Sequence, residues 1–208
     1  MNDIHNIYCV GRNYVAHAKE LNNDVPTSPL LFSKPNRSLV KADGQELMLP
    51  GDKGEVHYEA ELVIRLGKNY EQGIKVDDIV DSMAVGLDLT LRDVQSELKK
   101  KGHPWLLAKG FPNAAVIGGF IPFPGEKECK ESDFVLLKNG EQAQRGNTKQ
   151  MIFDLQTLID YCGMHLGAGE GDIIFTGTPQ GVGPISNGDH MEFLWDGTSL
   201  GHCTFKLG

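Results

Sequence analysis

One segment constrains the chain more than any other: residues 55–67 read Glu-Val-His-Tyr-Glu-Ala-Glu-Leu-Val-Ile-Arg-Leu-Gly. The alternation predicts a β-strand with Tyr58, Ala60, Leu62, Ile64 and Leu66 on one face. His57, Glu59, Glu61, Val63 and Arg65 fall on the other. Two carboxylates therefore point the same way, one pleat apart. Their repulsion is tolerated only where solvent screens it, a proton is shared, or a cation lies between them. Residues 84–89 form a second apolar run, interrupted by a single acid, Asp88. An acid inside a segment that reads as buried strand needs a partner. A divalent cation held by Glu59, Glu61 and Asp88 would account for all three acids at once.

At 208 residues the chain fits one domain and is long enough to bury a sizeable core. Its net charge of −8 argues against a nucleic-acid surface, since the only dense basic run is Lys99, Lys100 and Lys101. Small anionic substrates stay compatible, because they respond to a local field. Cys9, Cys129, Cys162 and Cys203 form no CxxC pair and have no ligand-like spacing to histidine. They read as reduced thiols of a cytoplasmic protein. The N-terminus has neither the basic start nor the apolar run of a signal peptide. The longest apolar stretch, residues 114–123, is broken by two glycines and a proline and is too short to cross a bilayer.

Ahead of the acidic strand, residues 7–10 read as a short strand, 11–14 as a turn and 15–21 as two helical turns. That helix would bring His17 and Glu20 onto one face. A carboxylate bonded to one imidazole nitrogen fixes the tautomer and raises basicity at the other, as a water-activating base requires. A solvated surface pair fits the same residues. Residues 22–29 are rich in turn formers and read as mobile, and residues 30–35 form a strand with Lys34 at its end. Residues 76–80 are indistinct.

Beyond Asp88, residues 90–101 predict a helix, with Thr90 and Asp93 as a capping box and Gly102 and Pro104 as the stop. Arg92 and Gln95 in its opening turns would project beside a metal at Asp88; an ion pair of Arg92 with Asp88 or Asp93 fits equally. Lys109 lies in an apolar context, where a lysine reaches water or pairs with an anion. Asn139-Gly140 signals a hairpin, and residues 152–162 carry a helical apolar stripe ended by Gly163. The loop at 177–184 lacks the lysine and glycine order of a phosphate loop. It can expose backbone amides and the Thr178 hydroxyl to a small anion, or be a plain turn. Strands at 189–195 and 201–207 close the chain, so strands outnumber helices.

Taken together, Gly-Arg-Asn-Tyr at 11–14 with His17 and Glu20, Phe-x-Lys-Pro at 32–35, His-Tyr-Glu-Ala-Glu-Leu at 57–62, Arg-Asp-Val-Gln at 92–95, Lys-Gly-His-Pro-Trp at 101–105, Leu-Ala-Lys at 107–109 and Glu-Gly-Asp-Ile-Ile-Phe-Thr-Gly-Thr-Pro at 170–179 resemble one family. The chain is similar to the single-domain fumarylacetoacetate hydrolase family, in its short acylpyruvase and oxaloacetate decarboxylase branch. The resemblance implies an α+β, mostly β fold: a mixed β-roll with a few flanking helices, assembled as a homodimer. It implies that Glu59, Glu61 and Asp88 hold Mg²⁺ or Mn²⁺, which agrees with the preference of hard cations for oxygen ligands. His57 is left out of that set. By the same resemblance His17 and Glu20 become a water-activating dyad on a lid spanning residues 15–29, and Lys109 a charge stabiliser beside the metal. Arg12, Arg92, Gln95 and Thr178 become substrate-positioning groups for a small anionic oxo-acid.

The expected reaction is hydrolysis of the C–C bond of an acylpyruvate. The alternative is oxaloacetate decarboxylation or keto–enol tautomerisation through the same enolate, and a metal-dependent binding protein without catalysis ranks third.

Overall fold

The structure is a computed structural model and describes residues 3–20 and 24–208. The first half of the chain runs β1 (Ile7–Gly11), α1 (Val15–Glu20), β2 (Leu30–Lys34), β3 (Leu39–Lys41), β4 (Asp43–Leu49), β5 (Val56–Tyr58), β6 (Ala60–Leu66), α2 (Val76–Ile79), β7 (Val80–Asp88), β8 (Thr90–Leu91) and α3 (Arg92–Lys100). It continues with α4 (Leu106–Lys109), β9 (Ala115–Ile117), β10 (Ile121–Pro122), α5 (Glu126–Glu131), β11 (Phe134–Lys138) and β12 (Glu141–Gly146). The last elements are α6 (Leu155–Leu166), β13 (Ile173–Phe175), β14 (Gly183–Pro184), β15 (His190–Trp195) and β16 (Thr198–Leu207).

Among the described residues the strands form three sheets. An eight-stranded mixed sheet has the order β2-β1-β13-β6-β7-β9-β3, with β10 on β7; a five-stranded sheet runs β12-β11-β15-β16-β4, and a small one β14-β5-β8. The fold is therefore mostly β with few helices, and the larger sheet is curled. One of its faces joins the main core through Leu62, Ile64, Val85 and Leu87. Ile7, Cys9, Val63, Ala84, Ala115, Ile117, Ile173 and Phe175 make up most of a second cluster, and all belong to strands of this same sheet. The two faces of the sheet thus bury separate clusters, and the second is partly filled by the small side chains of Cys9, Ala84 and Ala115.

The acidic segment departs from expectation in one respect: it is not one strand. β5 pairs with β8 and β14 while β6 pairs with β7 and β13, so the chain changes sheets at Glu59. The step leaves the Ala60 amide without a ladder partner, and it donates instead to Gln144 Oε1 at 2.8 Å. Strand β6 is buried on both faces, so Glu61 points into the roll rather than toward solvent.

Several helix boundaries also shift. Thr90 is not a cap: it sits in β8, α3 begins at Arg92 without a side-chain cap, and Asp93 accepts from the Glu55 amide at 2.9 Å. The indistinct residues 76–79 are the short helix α2. Helix α6 starts at Leu155, capped by Asp154 accepting from the Thr157 amide, and ends at Gly167 with φ 67°. Gly163 lies inside it, where a Cβ would fall 2.1 Å from the Tyr70 ring, so close helix packing rather than termination requires that glycine. The hairpin is as expected, with Asn139 and Gly140 both at positive φ. No described helix is long and apolar enough to cross a membrane. All four cysteines are free and buried.

Candidate active site

The curled sheet delivers its acids to one end. Glu61 on β6 pairs with Gly86 on β7, and the Asp88 amide donates to the Glu59 carbonyl at 2.9 Å. The three carboxylates are 6%, 1% and 1% exposed for Glu59, Glu61 and Asp88, and each offers an oxygen within 4.8 Å of the others. Such a cluster is strongly repulsive unless cations enter it. Three do. Lys109 at the end of α4 donates to Glu59 Oε2 at 2.9 Å, Asp88 Oδ2 at 2.6 Å and Thr90 Oγ1 at 2.6 Å. Arg92 in the first turn of α3 bonds Glu59 Oε1 and Gln95. Lys34, at the end of β2, lies 2.7 Å from Asp88 Oδ1 and donates to the Leu89 and Lys109 carbonyls.

These contacts split the acids electrostatically. Burial alone would push Glu59 up, but Lys109 and Arg92 outweigh it and hold the carboxyl well below its ordinary value. Glu61 receives one hydrogen bond, from the Gly177 amide at 2.7 Å. Burial and the Asp88 charge therefore raise it well above the usual carboxylate range. Burial opposes the charge on Lys109, yet Asp88 and Glu59 win and raise its pKa, so it stays an ammonium. Asp88 Oδ1 accepts no aligned hydrogen bond despite the nearby lysine. An under-satisfied buried oxygen, a carboxyl driven toward protonation and an all-oxygen donor set fit a hard divalent cation.

Of the remaining expected residues, Arg12, His17, Arg92, Gln95, Lys109 and Thr178 line one cavity with this cluster, and Glu20 stands behind His17 outside its lining. His17 on α1 is 4% exposed, which excludes the solvated surface pair, and its Nδ1 faces Glu20 Oε2 at 3.4 Å. Burial lowers the His17 pKa more than Glu59 and Glu20 raise it, so the imidazole is neutral at pH 7. Glu20 also accepts from the Gly181 amide, docking α1 against the loop that carries Thr178. Of the expected lid, residues 21–23 lie outside the described residues. His57 is elsewhere, with its Nε2 2.9 Å from Glu55.

Three groups escaped the sequence reading. Lys34 was visible only as a polar strand end. Gln144 joins the β5–β6 step to the loop that carries Thr178, donating to Thr178 Oγ1 at 2.9 Å and to Pro179 O. Asn13 fixes the turn after β1 by bonding the Thr176 carbonyl and both backbone groups of Phe153. Gly177, at φ 102°, passes so close that a Cβ would fall 2.6 Å from that of Asn13. Its glycine therefore positions the amide that holds Glu61.

A buried carboxylate triad with a charged lysine and a neutral histidine in one cavity has the donor chemistry of a site that could hold a divalent metal. Consistent with that class, residues 6–207 match the family model described as fumarylacetoacetate (FAA) hydrolase C-terminal, and the chain belongs to this family of enzymes. It is 42% identical over 199 residues to oxaloacetate tautomerase YcgM of Escherichia coli strain K12, covering 93% of this chain and 90% of that protein. It is 40% identical over 191 residues to the mitochondrial oxaloacetate decarboxylase of Dictyostelium discoideum, covering 89% and 86%. Among solved structures, fumarylpyruvate hydrolase from Pseudomonas aeruginosa in complex with Mn²⁺ and pyruvate matches with a TM-score of 0.89 and 34% identity. That match covers 99% of this chain and 91% of that one.

Proposed function

We propose that the protein interconverts the keto and enol forms of oxaloacetate, with decarboxylation as a second outcome at the same centre. The observation that carries the reading is the buried set Glu59, Glu61, Asp88 and Lys109 beside a neutral, buried His17. Relatives at about 40% identity named oxaloacetate tautomerase and oxaloacetate decarboxylase favour it over acylpyruvate hydrolysis.

Glu59, Glu61 and Asp88 would hold Mg²⁺ or Mn²⁺, which supplies charge stabilisation for an enolate when bound. Arg92, Gln95 and Thr178 orient the acid. The free nitrogen of His17 takes the C3 proton of the keto acid while Glu20 holds Nδ1. The electron pair of the broken C–H bond moves to the 2-oxo oxygen, where the positive charge of the nearby Lys109 ammonium offsets the developing negative charge. His17 then returns the same proton to that oxygen, which completes the enol without an added acid. Loss of the C4 carboxylate as CO₂ from the same bound acid leaves pyruvate enolate and needs no base.

A second reading, hydrolysis of an acylpyruvate, is favoured by the His17–Glu20 contact and by the resemblance to fumarylpyruvate hydrolase. There His17 deprotonates a water that attacks the distal carbonyl. The two readings separate when ultraviolet absorbance of the oxaloacetate enol and release of pyruvate are followed with Mg²⁺, Mn²⁺ or chelator. Accelerated loss of enol that runs ahead of pyruvate release, abolished in His17→Asn, is expected. Cleavage of acetylpyruvate or fumarylpyruvate, with oxaloacetate untouched, would replace the first reading by the second.

A further inference from the structure

Strand β12 contributes a buried polar side chain that the chemistry above leaves unused. Gln144 is 2% exposed and lies opposite Leu136 on the core-facing side of the strand, where regular alternation calls for an apolar residue. The strand bulges at Ala143, immediately before it, and a bulge re-aims the side chains beside it. Every polar group of Gln144 is engaged at the cavity wall. Oε1 accepts from the amide of Ala60, the residue between Glu59 and Glu61, at 2.8 Å, and Nε2 donates to Thr178 Oγ1 at 2.9 Å and to Pro179 O at 3.0 Å.

These partners fix the polarity of the contact. The Ala60 amide only donates and the Pro179 carbonyl only accepts, so the side-chain amide cannot be turned round. Nε2 therefore points its hydrogen at Thr178, and Oγ1 is the acceptor. The hydroxyl keeps its own hydrogen. Pro179 O, at 3.4 Å, is a poor acceptor for it and already takes a bond from Nε2. Thr178 is 3% exposed and lines the cavity, so a partner for that hydrogen has to come from the cavity. The loop has little freedom to turn the hydroxyl elsewhere. Its Gly177 amide holds Glu61, its Gly181 amide holds Glu20, and a Cβ at Gly181, φ 97°, would fall 2.7 Å from the Ala143 carbonyl oxygen.

We propose that Gln144 is a positioning residue that makes Thr178 a dedicated hydrogen-bond donor to an anionic oxygen of the bound 2-oxo acid. The inference rests on the reading of this cavity as the 2-oxo acid site. A hydroxyl held in this sense accommodates a carboxylate or oxo oxygen and disfavours an amide N–H in the same place. Loss of a hydrogen bond to a charged group lowers affinity by about 10-fold or more.

The test is calorimetric binding of pyruvate to the full chain with saturating Mg²⁺ at about pH 8, where an introduced carboxyl is ionised. The proteins compared are the wild type, Thr178→Ser, Thr178→Val, Gln144→Glu and the Gln144→Glu/Thr178→Val double variant. Gln144→Glu still accepts from Ala60 but also accepts from Thr178, which turns the hydroxyl hydrogen away from the cavity. Thr178→Ser is expected to bind within about 3-fold of the wild type, and Thr178→Val and Gln144→Glu each about 10-fold or more weaker. The double variant is expected to be no weaker than Thr178→Val, because Gln144 acts through the hydroxyl. Losses that multiply, or equal affinity in the wild type and Thr178→Val, overturn the proposal. Should Gln144→Glu fail to fold, Gln144→Met takes its place in the same cycle, with the same outcomes deciding. The enol assay reads the reaction separately. The expected pattern without enol turnover leaves the positioning role standing and removes the tautomerase reading; enol turnover with pyruvate affinity unmoved by Thr178→Val removes the positioning role alone. A wild type that does not bind pyruvate overturns both.

Discussion

Replacing Lys34 by methionine tests whether the carboxylate cluster is held together by charge. The Lys34 side chain has 0% exposure and lies 2.7 Å from Asp88 Oδ1, and its ammonium also donates to the Leu89 and Lys109 carbonyls. Methionine fills nearly the same volume, so little of the effect is a cavity. What is lost is one of three cations facing three carboxylates, together with the donor to two buried carbonyls. Breaking a buried ion pair costs about 3–5 kcal/mol. For a chain of this length each kcal/mol shifts Tm by about 2–4 °C, so Lys34→Met should melt about 6–20 °C lower in chelator. Adding a divalent cation at about 100 times the wild-type Kd contributes about 2.7 kcal/mol to the wild type, and at the same concentration more to the variant, which has lost positive charge. Thermal unfolding followed by circular dichroism, with and without Mg²⁺, measures both. The control is Lys100→Met, whose exposed pair with Glu97 should leave Tm unchanged. A Lys34→Met loss below about 1 kcal/mol, or no extra rescue by Mg²⁺, would refute the charge argument.

Three shorter expectations follow from the same geometry. Because burial lowers the His17 pKa, the base is lost only as pH falls below the ordinary histidine value of 6.5; the acid limb of the enol reaction should lie below that pH, and a limb above it would contradict the assignment. Burial and the Asp88 charge raise Glu61, so it holds its proton to higher pH than an ordinary carboxyl and cation binding competes with that proton; Mg²⁺ affinity should rise with pH above the usual carboxylate range, and Glu61→Gln should abolish the proton release seen by calorimetry in buffers of different ionisation enthalpy. Gly177→Ala meets both a positive φ and the Asn13 side chain, so it should lower stability by about 1–3 kcal/mol in denaturant unfolding and weaken Mg²⁺ binding through Glu61; an unchanged Mg²⁺ affinity would separate the loop from the metal site.

What the sequence made legible was set by period and by charge. The alternation over residues 55–67 placed Glu59 and Glu61 on one side because strand period survives even where the strand changes sheets. The change of sheet itself was invisible, since the Ala60 amide finds its acceptor in Gln144, 84 residues away. Thr90 looked like a cap because three-residue spacing to an acid is a local signal. The buried Lys109 ammonium, which bonds Thr90 Oγ1, is a tertiary one and overrides it. Lys34 was unreadable for a related reason: a lysine at a strand end is ordinarily solvated, and only the fold reveals the acid beside it.

The charge arrangement also sets the order of binding. Lys34, Lys109 and Arg92 face the three acids, and burial together with the Asp88 charge favours the protonated form of Glu61. Exchange of that proton for a divalent cation raises the charge of the cluster by one. A 2-oxo acid then enters a site with surplus positive charge, whereas in chelator it meets carboxylates whose cations are engaged. Affinity for oxaloacetate should accordingly fall by about 100-fold or more in chelator, roughly the 2.7 kcal/mol or more expected of a removed buried counter-charge. Wild-type titrations of intrinsic tryptophan fluorescence with oxaloacetate, in Mg²⁺ and in chelator, measure the difference. Comparable affinity in the two conditions would mean that Lys109 and Arg92 bind the acid by themselves, and that the carboxylate triad serves the fold rather than the ligand.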